Sequence, residues 1–256
     1  MNTTFDPRTF SPAADELTGR VIAITGPTQG IGRALAVACA KHGATVVLVG
    51  RNVKKLEAVH AELAALGREE ATIAPFDLEK AVANDYDTLA GATLERYGRL
   101  DGLVHNASLL GQLAPIEHYD VPTWLRVMHV NVTAAFALTQ VFIPVLKQSK
   151  DASVLFTSSG VGRRGRAYWG AYAASKFALE GLTQILAAEL DNSTAIRVNA
   201  LNPGATRTMM RLQAYPAENP ETLPLPEAIV GPYLALLGPA SRGITGQSFD
   251  AQFPRN

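Results

Sequence analysis

The sequence predicts a single α/β domain, a doubly wound and mostly seven-stranded parallel sheet with helices on both faces. Three observations carry the prediction. Short apolar runs rich in β-branched residues alternate with stretches of helical length along the whole chain. Those runs, VIAIT and ATVVLVG among them, are apolar without alternation, as strands covered on both faces require. The first run also passes through a glycine-containing turn straight into a helical pattern. The 256 residues exceed the ~150-residue domain prior, but no linker, repeat or charge run divides them. One domain over 1–256 is expected, with residues 1–18 as an N-terminal extension.

In chain order the predicted strands cover Arg20 to Thr25, Ala44 to Gly50, Ala71 to Phe76, Leu100 to His105, Ser153 to Ser158, Ile196 to Leu201 and Gln247 to Asp250. The segment YPAENPETLPLP, from Tyr215 to Pro226, carries prolines at 216, 220, 224 and 226. Each removes a backbone donor, so a loop is expected there. Residues 209–226 follow the carboxyl end of the sixth strand, where open α/β sheets bind ligands. They read as a substrate loop, and a plain surface connection explains the same pattern equally well.

Composition narrows the function classes. Lys plus Arg and Asp plus Glu both number 23, for a net charge of zero, so nothing drives the chain toward nucleic acid or an anionic membrane. With 47% hydrophobic and 18% charged residues, a disordered scaffold is excluded. A single cysteine, Cys39, forms no internal disulfide, and the start MNTTFDPRTF lacks the pattern of a signal peptide. No apolar run approaches the roughly 18 residues of a membrane span, so a cytoplasmic protein is expected. His42, His60, His105, His118 and His129 make no paired ligand spacing, and no metal is expected. No G-x-S-x-G elbow surrounds Ser158 or Ser159, which argues against a serine hydrolase.

The glycine turn after the first strand reads Gly26-Pro27-Thr28-Gln29-Gly30-Ile31-Gly32. In such a turn one glycine permits the tight bend, another lets backbone approach a pyrophosphate, and a third lets the helix pack close to the sheet. The helix N-terminus then presents free N–H groups to phosphates. Taken alone the turn is a weak signal; between a strand and a helix it favours a dinucleotide. The second strand ends in Gly50-Arg51 with no carboxylate to bind a ribose 2′-hydroxyl. A guanidinium there suits a 2′-phosphate, so NADP(H) is preferred, NAD(H) is the alternative, and an ordinary surface arginine is the bland reading.

Farther on, Tyr172 and Lys176 lie four residues apart, on one face of the helix expected from Ala171 to Leu190. A cation near a phenol favours its phenolate, so Lys176 is expected to lower the Tyr172 pKa. The pair alone decides nothing, because such residues also pack or snorkel on helices. The helix is apolar nearly all round, with polar residues along Lys176, Glu180 and Gln184. It therefore calls for two partners, its own sheet and the same helix of a second subunit, which predicts a homodimer or homotetramer. Arg163, Arg164 and Arg166 precede Tyr172 and would suit an anionic substrate, though arginines on loops are more often solvated. Trp169 would wall a pocket or pack in the core.

In order along the chain, TGPTQGIG (Thr25 to Gly32), Asp77-Leu78, HNAS (His105 to Ser108), Asn131 in VNV, Ser159 in SSGVG, YAASK (Tyr172 to Lys176) and NPGATRT (Asn202 to Thr208) resemble the short-chain dehydrogenase/reductase family in its compact, Rossmann-like form. The resemblance covers nearly the whole chain. It implies that Tyr172 is the general acid–base residue, Ser159 binds the reacting oxygen, Lys176 holds the nicotinamide ribose, and Asn131 anchors a water linking Lys176 to solvent. It places Asp77 and Leu78 beside adenine and Asn106 and Ala107 against the cofactor. Thr206 and Thr208 would bracket the carboxamide, with Pro203 and Gly204 setting the backbone. Asp77 as a helix N-cap and Asn131 as a satisfied core residue remain alternatives.

Three departures stand out: Pro27 removes a turn donor, Ser108 replaces the usual glycine, and TGQSFDAQFPRN lacks a glycine pair after Asp250. The expected function is the NADP(H)-dependent interconversion of a small-molecule carbonyl and a secondary alcohol. The alternative is a non-catalytic dinucleotide sensor on the same fold. Sugar-nucleotide epimerase or dehydratase chemistry would need a larger substrate domain than the segment after Thr208 offers.

Overall fold

The computed structural model of the protein describes residues 5–68, 70–191 and 193–254; residues 1–4 of the extension and 255–256 lie outside the described residues. The strands β1 (Val21–Thr25), β2 (Thr45–Gly50), β3 (Thr72–Pro75), β4 (Gly102–His105), β5 (Ala152–Thr157), β6 (Ile196–Asn202) and β7 (Ser248–Asp250) form one sheet in the order β3-β2-β1-β4-β5-β6-β7. Every neighbouring pair is parallel. The order reverses between β1 and β4, which opens a crevice above their carboxyl ends.

The strands fall where the apolar runs predict, most of them trimmed at one or both ends. Leu100 and Asp101 lie before β4, where the Asp101 carboxylate accepts the Val21 N–H (2.8 Å) and the Ser149 hydroxyl (2.6 Å). Helices α1 (Gly30–Lys41), α2 (Val53–Ala64) and α8 (Gly231–Leu237) build the core on one face of the sheet. On the other face lie α3 (Ala83–Tyr97), α5 (Ala134–Leu146) and α6 (Gly170–Leu190). This is the single three-layer α/β domain that the sequence predicts. The N-terminal extension is a strap rather than a loose tail: Phe10 packs on the core, Leu17 is fully buried, and Phe5 meets the Phe249 ring edge-on at 5.7 Å.

Three expectations are corrected. First, α4 (Val121–Met128), a π turn (His129–Thr133) and α5 join into one 26-residue helical stretch, long and apolar enough by composition to cross a membrane. The sequence reading missed it because Arg126, His129 and Asn131 interrupt the apolar run. It packs against α3 and α6 as a core helix. Second, the polar line on α6 is split: Lys176 and Glu180 are buried, Gln184 is exposed, and so are the apolar Phe177 and Ile185. Third, residues 209–226 are more ordered than a loop. They contain α7 (Met209–Ala214), capped by Thr208 Oγ1 on the Arg211 N–H (3.1 Å), and short 3-10 turns starting at Pro220 and Pro226. Proline suits the first position of such a turn, whose N–H needs no partner.

His105 at the end of β4 stacks on Phe156 (4.8 Å) and contacts Thr139 Oγ1 (2.8 Å). Burial pushes its pKa down to about 3. The unfolded chain protonates near the ordinary value of 6.5, so the unfolded state binds more protons between these two values. Stability therefore falls as pH drops through that window, by about 1.4 kcal/mol per pH unit. His105→Gln is expected to remove roughly 2 kcal/mol of the loss between pH 7 and pH 5. Urea denaturation at both pH values checks this, and an unchanged loss in the variant would refute it.

Candidate active site

The crevice is a cavity of about 480 Å³, within the range of ligand pockets. At its nucleotide end β1 finishes at Thr25, whose Oγ1 accepts the N–H groups of Asn106 and Ala107 (both 3.0 Å). The Asn106 amide donates to the carbonyls of Thr25 (3.2 Å) and Gly26 (3.3 Å). Gly26 adopts φ 65°, which L side chains rarely tolerate. A Cβ on Gly32 would stand 2.2 Å from the Gly26 oxygen, so only glycine lets α1 start this close to the sheet. Gly26, Thr28, Gln29, Gly30, Ile31 and Gly32 all line the cavity. The Pro27 ring lies instead beside Gly50. Thr25 was not singled out from sequence, because its two acceptor contacts come from residues about 80 positions away.

At the β2 corner Arg51 lines the cavity with its side chain 60% exposed and 3.6 Å from Glu79. Glu79 is held by Arg126 (2.7 and 2.9 Å), whose guanidinium keeps its carboxyl below the usual range. Asn52 and Lys55, also unassigned from sequence, line the same corner; Asn52 Oδ1 accepts the Lys55 N–H (3.0 Å) at the start of α2. Leu78 and Asp77 line the cavity as well. Asp77 accepts the Glu79 N–H (3.0 Å) in a local turn, and α3 begins only at Ala83, so the N-cap alternative is not realised.

At the other end Ser159, Tyr172 and Lys176 meet on one wall. Tyr172, in the first turn of α6, stands near enough to Ser159 for that hydroxyl to act on the phenol. Ser158 also lines the cavity, but its hydroxyl donates to Glu180. Lys176 Nζ donates to the Thr157 carbonyl (2.7 Å) and lies 5.4 Å from the Tyr172 ring centre. Desolvation pushes the Tyr172 pKa up to about 12, with the neighbouring Ser159 hydroxyl acting in the opposite direction. Desolvation lowers Lys176 to about 8, opposed by the Glu180 charge. The expectation that Lys176 depresses the phenol pKa is therefore corrected: burial dominates, and the ammonium is directed at a backbone carbonyl. Pro203, Gly204, Thr206 and Thr208, and Asn106 and Ala107 after β4, also line the cavity.

The family model for short chain dehydrogenases matches residues 20–219. The chain belongs to this family. It is 46% identical over 247 residues to the uncharacterized oxidoreductase YciK of Escherichia coli strain K12, covering 95% of this chain and 96% of that one. A Pseudomonas syringae protein assigned as a short chain dehydrogenase superposes with TM-score 0.94 at 51% identity, covering 97% of this chain and 100% of that one. Another, from Escherichia coli CFT073 and complexed with NADPH, gives TM-score 0.92 at 47% identity, covering 94% and 100%. The protein is thus a short-chain dehydrogenase, an oxidoreductase of Rossmann-like fold.

Several side chains of this dehydrogenase have roles that only the fold reveals. Asn131, in the π turn, does not line the cavity. Its amide donates to the Leu109 carbonyl (2.9 Å) and to Ser175 Oγ (3.0 Å), and its oxygen accepts the Leu109 N–H (2.8 Å). The side chain thus clamps the 106–110 loop to α6. Gln252, in the segment lacking a glycine pair, donates to the carbonyls of Pro203 (2.7 Å) and Ala205 (3.0 Å) and to Thr206 Oγ1 (3.2 Å). It thereby supports the 203–206 loop, which lines the cavity at Pro203, Gly204 and Thr206.

The arginine cluster disperses. Arg163 pairs with Glu180 (3.2 Å) and Asp250 (2.8 Å), Arg166 donates to the Tyr215 hydroxyl, and Arg164 is exposed. Two of the three cations are engaged within the chain, which weakens the case for an anionic substrate. Trp169 lines the cavity, its ring 5.7 Å from Tyr172 and 5.8 Å from Tyr215. Tyr215 sits under the Arg211 guanidinium (3.7 Å), and Arg211 is locked to Glu218 (2.6 and 2.7 Å). These contacts tie the start of the segment 209–226 together beside Trp169, where Met209, Met210, Arg211 and Ala214 line the cavity.

Proposed function

We propose that the protein interconverts a small-molecule carbonyl and a secondary alcohol with NADP(H), and that Ser159, Tyr172 and Lys176 perform the proton chemistry. The meeting of these three side chains on one wall of a cavity that ends in a glycine turn carries the reading. The cradle at Gly26 and Gly32, which a Cβ would fill, fits a dinucleotide backbone. Bound nicotinamide supplies or accepts the hydride.

In reduction the Tyr172 hydroxyl passes its proton to the carbonyl oxygen; in oxidation it takes the alcohol proton. With burial holding the phenol protonated near neutral pH, Tyr172 is ready to act as the acid for reduction. Ser159 donates a hydrogen bond to the same oxygen as charge develops there. Lys176 holds the nicotinamide ribose hydroxyls, and Asn131 keeps α6 and the 106–110 loop in register and anchors a water that links Lys176 to solvent. Asp77 and Leu78 flank the adenine. Pro203, Gly204, Thr206 and Thr208 receive the carboxamide.

Arg51, with Lys55 and the start of α2 beside it, suits a 2′-phosphate, and the NADPH complex of the relative supports that preference. Arg51→Ala is expected to weaken NADPH binding about 10-fold, the lower end for a charge-assisted contact because the site is exposed. NADH binding should hold within about twofold. Fluorescence titration of both nucleotides tests the reading: if neither binds the wild type, it falls. Residues 209–226 act as the substrate loop. A homodimer or homotetramer is supported by the exposed Phe136 on α5 and Phe177 and Ile185 on α6. A cytoplasmic location is in keeping with Cys39 being buried and free.

A further inference from the structure

Three buried side-chain polar atoms find no hydrogen-bond partner among the described residues: Arg20 Nε, Arg207 Nε and Ser108 Oγ. The two arginines use their other nitrogens, Arg20 on Asp151 and Arg207 on the Glu221 and Leu223 carbonyls. Ser108 has no other side-chain polar atom. A desolvated hydroxyl without a partner is a net cost to folding, and Ser108 is among the residues that line the cavity.

The backbone on both sides of Ser108 is pinned. Before it, the Asn106 amide binds the Gly26 carbonyl, and the Ala107 Cα lies 3.0 Å from where a Cβ on Gly26 would stand. After it, both backbone polar groups of Leu109 are bonded to Asn131, which also reaches Ser175 on α6. Ser108 therefore stands midway between the glycine turn and the helix that carries Tyr172. The glycine turn, Ser108 and Tyr172 share the lining of one cavity, so a ligand spanning the cavity comes near all three.

We propose that Ser108 Oγ hydrogen-bonds the sugar–phosphate link of the bound dinucleotide, on the nicotinamide side of the pyrophosphate. The inference rests on the dinucleotide reading given above. Ribose hydroxyls and phosphate oxygens both accept a hydroxyl proton, and the fixed backbone holds Ser108 ready for them without added ordering cost. The nicotinamide half is common to NADPH and NADH, so the contact serves both equally, unlike Arg51.

The test titrates NADPH and NADH into the wild type, Ser108→Ala and Ser108→Gly, and records the melting temperature of each protein without nucleotide. Both dissociation constants are expected to rise about 3- to 10-fold in Ser108→Ala, with their ratio unchanged. The nucleotide-free melting temperature should hold or rise, since no bond within the protein is lost. Dissociation constants within twofold of wild type, or tighter, overturn the proposal. So does weakened binding with a matching fall in melting temperature, which marks a structural role. If the wild type binds neither nucleotide, the proposed function fails and takes this inference with it; a wild type that binds while Ser108→Ala binds equally well removes only the inference.

Discussion

Tyr172→Phe is expected to lower kcat by about 10³-fold or more while leaving NADPH affinity within about threefold. The substitution deletes one hydroxyl and keeps the ring, so the packing against Trp169 at 5.7 Å survives. What disappears is the proton that must reach the carbonyl oxygen. Neither neighbour replaces it: Ser159 has a far less acidic hydroxyl, and Lys176 Nζ is directed at the Thr157 carbonyl. Burial keeps the wild-type phenol protonated to about pH 12, so reduction proceeds at neutral pH. Oxidation, which needs the phenolate, gains with rising pH. Steady-state rates on any ketone the wild type reduces, beside an NADPH titration, decide the matter. A variant keeping more than a tenth of the activity would remove Tyr172 from the acid–base role, and one that no longer binds NADPH would show a structural role instead.

Gly32→Ala carries the second large effect. Its new methyl group would sit 2.2 Å from the Gly26 carbonyl oxygen and 2.6 Å from the Asn106 amide nitrogen. Neither gives way cheaply: one is backbone, and the other is a side chain held by the Thr25 and Gly26 carbonyls. Relief requires α1 to move off the sheet, at a cost of roughly 3 kcal/mol by the scale of overpacked cores. A fall of roughly 6–12 °C in melting temperature is expected for a chain of this size, together with loss of NADPH binding as the turn opens. Gly181→Ala is the control, since a Cβ there meets nothing within 4 Å and sits inside α6. It should hold or gain stability. An unaffected Gly32→Ala would refute the close-packing argument.

Much of the fold and half of the site logic can be read from local chemistry. Runs such as VIAIT can only be strands covered on both sides, and the glycine turn after β1 must bend and admit backbone. Tyr172 and Lys176 must share a helix face because α-helical spacing puts them there. The helical stretch through Asn131 was less legible, since its polar residues broke an apolar pattern that is continuous only once their inward contacts are known.

Charge placement was the least legible part. Arg163 lies close to Tyr172 in sequence, yet its partners are Glu180 and Asp250. The phenol pKa follows burial rather than the cation four residues away. The support for the 203–206 loop comes from Gln252, nearly fifty residues on.

The residues of this chain by themselves determine which segments are strands and helices, where the nucleotide turn lies, and which side chains are available for proton transfer, because each of these depends on neighbours within a turn or two. The tertiary fold decides which arginines are neutralised, which hydroxyl is left without a partner and how the phenol titrates. Those properties depend on desolvation and on contacts between residues far apart in sequence, and both arise only when the sheet is assembled.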